Sequence, residues 1–353
     1  MARELKGLGE QPRVEVGGIS WTGDERSVMR ANLWLRTATR VLVRVGRFNA
    51  KSFAELERQA KRVNWERFVG PGATAAFRVT ARKSKLIHSD AIAERLQAAV
   101  GRRSSPSVAS KRATPNTEQL FVVRVLRDEF EISVDTSGEL LHMRGYRQAV
   151  GKAPLRETLA AALLIAADWS GDTPLIDPLC GSGTIPIEAA LIARRIAPGA
   201  GRRFAVLDWP GASAAMWKTL LDDARSIELS RSPAAILGSD RDQGVIASAR
   251  ANAERAGVAA DIEFSVRAVS AIEPPSTPGL VATNPPYGVR ASPKADVRNL
   301  HAQFGNVMRK TCAGWRVAFY SAQQRHTSET GLATRDMFRT TNGGIKITAV
   351  VSS

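Results

Sequence analysis

An apolar strand that runs into an acid and then a tight glycine turn narrows the fold of this chain more than any other stretch. Leu175-Ile176-Asp177 leads through Pro178 and Leu179 into Cys180-Gly181-Ser182-Gly183-Thr184. A helical pattern follows, with apolar positions at Ile185, Ile187, Ala189, Ala190, Leu191 and Ile192. In a doubly wound sheet, this first strand-loop-helix is where a nucleotide-like ligand binds. The glycines let the backbone come close, and the helix N-terminus offers free N–H groups. A dinucleotide site needs the spacing G-x-G-x-x-G, and Pro186 stands where the third glycine belongs, which argues against NAD or FAD. No Lys-Ser or Lys-Thr pair follows the glycines, so the loop is not a P-loop either.

Two further strand ends extend the pattern. Residues 234–240 read as a strand closing on Asp240, followed by a helix over 243–256. An acid at the tip of the second strand is where such folds hold a ribose, although a lone aspartate there equally suits a helix cap. Residues 279–283 form another apolar run, which opens into Asn284-Pro285-Pro286-Tyr287. The Asn284 side-chain oxygen and the carbonyl of Pro285 are acceptors that can receive the two hydrogens of an exocyclic amine. The prolines stiffen the turn, and Tyr287 presents a π-face to a flat ring. Alone, this would pass for an ordinary proline-rich turn. The order of glycine loop, ribose acid and Asn-Pro-Pro-Tyr on successive strand ends is what carries the reading.

From about residue 154 onward the chain resembles a class I S-adenosylmethionine-dependent methyltransferase of the Asn-Pro-Pro-Tyr type. As a whole it resembles the bacterial THUMP-domain RNA guanine-N2 methyltransferases. The resemblance runs nearly end to end. It includes Arg30-Ala31-Asn32-Leu33-Trp34-Leu35-Arg36-Thr37-Ala38, Asp135-Thr136-Ser137-Gly138 and Leu141-His142-Met143-Arg144-Gly145-Tyr146-Arg147. It continues through Ala153-Pro154-Leu155-Arg156-Glu157-Thr158, Glu188-Ala189-Ala190, Ala197-Pro198-Gly199 and the hairpin-like Asn342-Gly343-Gly344-Ile345.

The resemblance implies an α/β chain: a Rossmann-like class I domain with a seven-stranded, mostly parallel sheet, preceded by an α+β N-terminal and THUMP module. The expected division is a ferredoxin-like segment over 1–48, a THUMP RNA-binding domain over 49–148 and the methyltransferase domain over 149–353. It implies S-adenosylmethionine as cofactor, held by Arg156, Asp177, Cys180, Gly181, Ser182, Gly183, Thr184, Asp240, Arg241, Ala268 and Asn284. Asn284, Pro285, Pro286 and Tyr287 are the implied catalytic group, acting on the N2 amine of a guanosine in structured RNA, with ribosomal RNA favoured over transfer RNA. One departure stands out. The third strand, near 262–266, leads into Arg267-Ala268-Val269 with no acid until Glu273, so either the backbone at Ala268 alone holds the adenine or cofactor affinity is reduced.

Charge points to the partner. The net charge is +16, and residues 1–150 hold 27 Lys and Arg against 16 Asp and Glu. So basic a first half suits a polyanion, with a merely solvated surface as the bland alternative. Arg82, Lys83 and Lys85, together with Arg144 and Arg147, are the expected RNA contacts. The first half otherwise alternates strands (13–16, 40–45, 75–81, 120–126, 129–135) with helices (24–36, 52–63, 89–100), as in helices packed on one face of an antiparallel sheet. Residues 101–118, rich in Ser, Pro and basic residues, read as a long loop, and the domain junction is placed at 145–152.

With only Cys180 and Cys312, a zinc site is not indicated and a reducing cytoplasm is expected. Cys180 reads as small-residue packing under the glycine loop rather than as a nucleophile. Residues 1–16 lack a signal-peptide pattern, and no apolar run approaches the ~20 residues that span a bilayer. Three alternatives stay open: an adenine-N6 nucleic-acid methyltransferase, a catalytically inert RNA-binding or ribosome-assembly factor, and, disfavoured by the glycine pattern, a dehydrogenase.

Overall fold

The computed structural model describes residues 1–101, 118–148, 155–287 and 294–352. Residues 102–117 of the expected loop and the second half of the expected junction, 149–152, lie outside the described residues. Backbone contacts gather the chain into two units, Met1–Leu141 with Gly201–Asp223, and His142–Ala200 with Ala224–Ser353. No helix among the described residues is long and apolar enough to cross a membrane.

The first unit opens with α1 (Ala2–Gly7), a hairpin of β1 (Arg13–Glu15) and β2 (Gly18–Ser20), and α2 (Glu25–Trp34). It continues with β3 (Leu42–Asn49), α3 (Phe53–Ala60), β4 (Thr74–Arg82), α4 (Ser89–Val100), β5 (Glu118–Leu126) and β6 (Glu129–Asp135). Side-chain caps start two of these helices: Asp24 accepts from the Ser27 N–H at 2.8 Å and Ser52 from the Glu55 N–H at 3.3 Å. The sheet order is β3-β6-β5-β4. Its β3–β6 and β5–β6 pairs are antiparallel, as expected, but β4 and β5 run parallel. A parallel pair needs a crossover, and α4 lies between these two strands in the chain.

Alternation along β5 buries Phe121, Val123 and Val125 in one core with Leu56 of α3 and Ile92 and Leu96 of α4. Trp65 meets Phe77 and Phe121 edge-on at 5.8 and 5.1 Å and donates its indole N–H to the Ala60 carbonyl at 2.9 Å. The segment Gly201–Asp223 belongs to this unit through specific bonds. The Val206 N–H reaches the Thr136 carbonyl at 3.0 Å, and the Trp209 indole donates to Gln119 at 2.7 Å while meeting Phe68 edge-on.

The second unit contains α5 (Glu157–Ala166), β7 (Leu175–Asp177), α6 (Thr184–Ala193), the end of α7 (Ala214–Ser226), β8 (Ile236–Asp240) and α8 (Gln243–Arg255). After these come β9 (Ile262–Val266), β10 (Leu280–Thr283), α9 (Lys294–Thr311), β11 (Arg316–Ser321), α10 (Gln324–Glu329), β12 (Thr334–Asn342) and β13 (Ile345–Ser352). Seven strands form one sheet in the order β12-β13-β11-β10-β7-β8-β9. β9, β8, β7, β10 and β11 are parallel, while β13 and β12 close the edge antiparallel. This is the class I methyltransferase fold. Every residue of β7 and β10 is buried, which is why both read as unbroken apolar runs rather than alternating ones.

Alternate strand residues feed two cores. One packs Leu163, Ile187, Ala190 and Ala249 against Leu175, Ala282 and Tyr320. The other packs Phe304 and Met308 of α9 against Val281, Phe319 and Val350. Asn342 ends β12 and Ile345 begins β13, with Gly343 and Gly344 at φ of +56° and +85° making the turn, which matches the hairpin expected there.

Candidate active site

The residues singled out by spacing fall at the C-terminal ends of neighbouring parallel strands. Strand order reverses between β10 and β7, and such a switch point opens a crevice for a ligand. Asp177 ends β7 almost fully buried. It accepts from the Thr283 hydroxyl at 2.7 Å and from the Leu179 N–H at 3.2 Å, so the ends of β7 and β10 are tied together. Burial pushes its pKa up to about 7, although both hydrogen bonds pull the other way.

The glycine loop is held from the side of β8. Asp240, at the end of that strand, accepts from the Gly181 N–H at 3.2 Å and the Asp242 N–H at 3.1 Å. The Cys180 N–H reaches the Ser239 carbonyl at 2.9 Å, and the Asn252 amide reaches the Ser182 carbonyl at 3.0 Å. Gly183 caps the N-terminus of α6 at φ +83°, and a Cβ there would press on Ala249 and Phe264 at 3.0 and 3.1 Å. Glycine is therefore required both for the conformation and for the space. Cys180 is buried and burial drives its thiol pKa well up, the reverse of what a nucleophile needs.

Ala268 is exposed just beyond β9. Beside it Arg267 pairs with Glu273 at 3.1 Å, and the Glu273 side chain is 80% exposed. Arg241 is exposed after Asp240, and Arg156 is exposed at the N-cap of α5, where its carbonyl takes the Leu159 and Ala160 N–H groups.

Asn284 and Tyr287 engage each other within their loop. The Tyr287 hydroxyl donates to the Asn284 side-chain oxygen, and the Asn342 side chain is also within its reach. Burial raises the Tyr287 pKa far above the ordinary phenol value, so it stays neutral. Pro285 is buried, Pro286 exposed and Tyr287 half-buried. An amide oxygen has two lone pairs, so Asn284 keeps one for an incoming amine. Thr283 and Asn342 were not foreseen in these roles. Thr283 could have been noticed as the one hydroxyl in a buried apolar run, whereas nothing in the sequence puts Asn342 against Tyr287.

The expected RNA contacts divide. Arg82, Lys83 and Lys85 are exposed at the end of β4, where Lys83 takes φ +49°. Arg144 and Arg147 are a correction. Arg144 is 3% exposed and paired at 3.4 Å with Glu188, itself 0% exposed, which also accepts from the Tyr146 hydroxyl at 3.1 Å. Arg147 pairs with Glu157 at 3.1 Å and donates to the Leu155 carbonyl at 2.6 Å. Their charge is already consumed by buried carboxylates, so they do not form a phosphate-facing surface. Among the described residues, no group of His, Cys, Asp and Glu is placed to hold a metal ion.

Comparison with known proteins gives the family. Residues 144–350 match the family described as "RMKL-like, methyltransferase domain", residues 50–135 match "THUMP domain", and residues 1–42 match "RlmL ferredoxin-like domain". The chain is 36% identical to the ribosomal RNA large subunit methyltransferase K/L of Methylococcus capsulatus, across 98% of this chain and 48% of that one. It is 34% identical to a provisionally assigned RNA methyltransferase of Synechocystis, across 98% of this chain and 91% of the other. Among solved structures, SMU.472, a provisionally assigned methyltransferase in complex with SAH, superposes with a TM-score of 0.88 at 28% identity, covering 99% and 93% of the two chains. A Listeria monocytogenes protein provisionally assigned as an N6-adenine-specific DNA methylase superposes at 0.86 with 33% identity, covering 99% and 91%.

Proposed function

The chain belongs to the RMKL-like methyltransferase family with a THUMP domain, and on that premise we propose that it methylates the exocyclic N2 amine of a guanosine in structured RNA, with ribosomal RNA favoured over transfer RNA. The observation that carries this reading is Asn284-Pro285-Pro286-Tyr287 at the end of β10, beside the strand that bears the glycine loop. The glycine loop, the α6 N-terminus and the Asp240 carboxylate fit S-adenosylmethionine, whose sulfonium supplies a methyl group open to direct displacement.

The rest follows from what these side chains can do. A guanosine inside a helix hides its amine, so the base must be flipped or lie in a loop. Tyr287 then offers its ring face, while Asn284 and the Pro285 carbonyl accept the two amine hydrogens and aim the nitrogen at the methyl group. Positioning of this kind lowers barriers by up to ~7–11 kcal/mol in the best cases. No side chain has to act as a strong base, because the amine loses its proton readily once it carries the methyl group and positive charge. Asn284→Ala is expected to cut single-turnover transfer about a hundredfold while leaving RNA affinity within a few-fold. Near-normal turnover in that variant would remove the amide from the mechanism.

Methylation of adenine N6 is the second reading, supported by the description of the Listeria relative and by the shared chemistry of an exocyclic amine. The identity of the methylated nucleoside separates the two.

A further inference from the structure

Two buried histidines meet behind the Asn-Pro-Pro-Tyr loop. His301 of α9 and His326 of α10 stack with centroids 4.9 Å apart and planes within 19° of parallel. They are 1% and 4% exposed. Neither ring nitrogen of His301, nor Nδ1 of His326, has a hydrogen-bond partner among the described residues. The Pro286 backbone nevertheless comes close enough to His301 to favour a proton on the ring, without completing a hydrogen bond of full geometry.

The two helices that hold the stack are tightly joined. Gly305, one turn beyond His301, lies where a Cβ would sit 1.8 Å from the Thr330 carbonyl oxygen. Arg309 donates to that same carbonyl, and Arg298 faces Glu329 at 3.7 Å. The charged groups around the stack are therefore Glu329 and Arg325 from α10 and Arg298 from α9. Burial, with His326 alongside, outweighs Glu329 and the Pro286 backbone and holds His301 at about 4, so its ring is neutral near pH 7 and carries one N–H donor.

We propose that His301, backed by His326, is a positioning residue for the methyl-transfer loop, its ring N–H securing the Pro286 carbonyl so that the Asn284 and Pro285 acceptors stay aimed. The inference rests on the proposed chemistry of that loop. Pro285 and Pro286 have no backbone N–H, so they cannot supply donors of their own to brace the turn. A donor from outside the loop is the available means of fixing its carbonyl. Buried polar groups in native proteins are nearly always partnered, and a phenylalanine would fill the same space without desolvating two nitrogens. A buried imidazole with orphaned nitrogens, close to the Pro286 backbone, therefore marks a role beyond packing.

The test uses the full chain with His301→Phe and His301→Gln. The phenylalanine variant is expected to melt no lower than the native protein and to bind S-adenosylmethionine and RNA normally, yet to lose about tenfold or more in single-turnover methyl transfer. The glutamine variant, which restores an N–H donor, should recover most of that loss. A phenylalanine variant at the native rate would overturn the proposal, as would a loss that glutamine fails to rescue. Long-range spectra of ¹⁵N-histidine give a reading independent of substrate: His301 should be neutral and locked in one tautomer at pH 7. Two tautomers in exchange would refute the bracing role. A native protein that methylates some other nucleoside would refute the guanosine assignment and leave the histidine result standing.

Discussion

Tyr287 does two things at the candidate site, and one substitution separates them. In the proposed chemistry its half-buried ring stacks on the base, while its hydroxyl ties Asn284 and lies against Asn342. Tyr287→Phe keeps the ring and removes the tie. It should cost about 1 kcal/mol of stability and lower methyl transfer roughly tenfold with little change in RNA affinity. Asp177 makes a pH prediction. Its carboxyl titrates near 7 in the folded chain against 3.8 ordinarily, so the folded state binds the extra proton between those values. Its contribution to stability is thus greatest below pH 4 and is lost as pH rises toward 7, by up to about 4 kcal/mol. Asp177→Asn should flatten that slope in urea denaturation measured from pH 5 to 7. An unchanged slope would mean the carboxylate is ionised throughout.

The same residues show how much was legible beforehand. Asp177, Asp240 and Asn284 each close an apolar run, so spacing alone places them at strand ends. Thr283, Asn342 and His301 gain their meaning only when β10 lies beside β7, the last hairpin reaches the loop and α9 meets α10. Arg144 differs from its sequence expectation for the complementary reason. An arginine looks exposed in a sequence, and nothing nearby in the chain announces Glu188 as its buried partner. Arg144→Ala should therefore act on folding rather than on RNA affinity, costing about 3–5 kcal/mol by leaving Glu188 uncompensated.

Among the elements, α9 and α10, which would brace the Asn-Pro-Pro-Tyr loop through His301 on the proposal above, depend on one close approach. Gly305→Ala would drive a methyl group into the Thr330 carbonyl and should destabilise the chain by about 2–4 kcal/mol. His301 adds an acid-side signature of opposite sign to Asp177. Its folded value near 4 lies below the ordinary 6.5, so the unfolded chain binds the proton first. Its contribution is complete above about pH 6.5 and is lost as pH falls toward 4, by up to about 3 kcal/mol. His301→Phe should abolish that loss. Neither helix announces itself in the sequence as the glycine loop does, because each is recognised by its neighbours rather than by a motif. The parallel β4–β5 pair was hidden for a related reason, since strand direction follows from the crossover and not from the strand's own residues.

On the scale of the molecule, net charge and domain order were readable, but the ownership of Gly201–Asp223 was not. That segment follows the glycine-loop helix in sequence yet bonds within the first unit, through Val206 to Thr136 and Trp209 to Gln119. Those partners are far away along the chain, and no local pattern links them. The basic excess belongs to the same scale. If Arg82, Lys83 and Lys85 lie on RNA phosphates, replacing all three with alanine should weaken binding across sequences and reduce the salt slope by about 2.

The central claim is the chemistry at Asn284, and nucleoside identity tests it most directly. Purified protein would be given tritiated S-adenosylmethionine and, separately, ribosomal and transfer RNA from cells lacking the gene, and the products digested to nucleosides and resolved by chromatography. Label in N2-methylguanosine, strongest from the ribosomal pool and lost in Asn284→Ala, is the expected result. Label in N6-methyladenosine, or none despite measurable binding of cofactor and RNA, would contradict it.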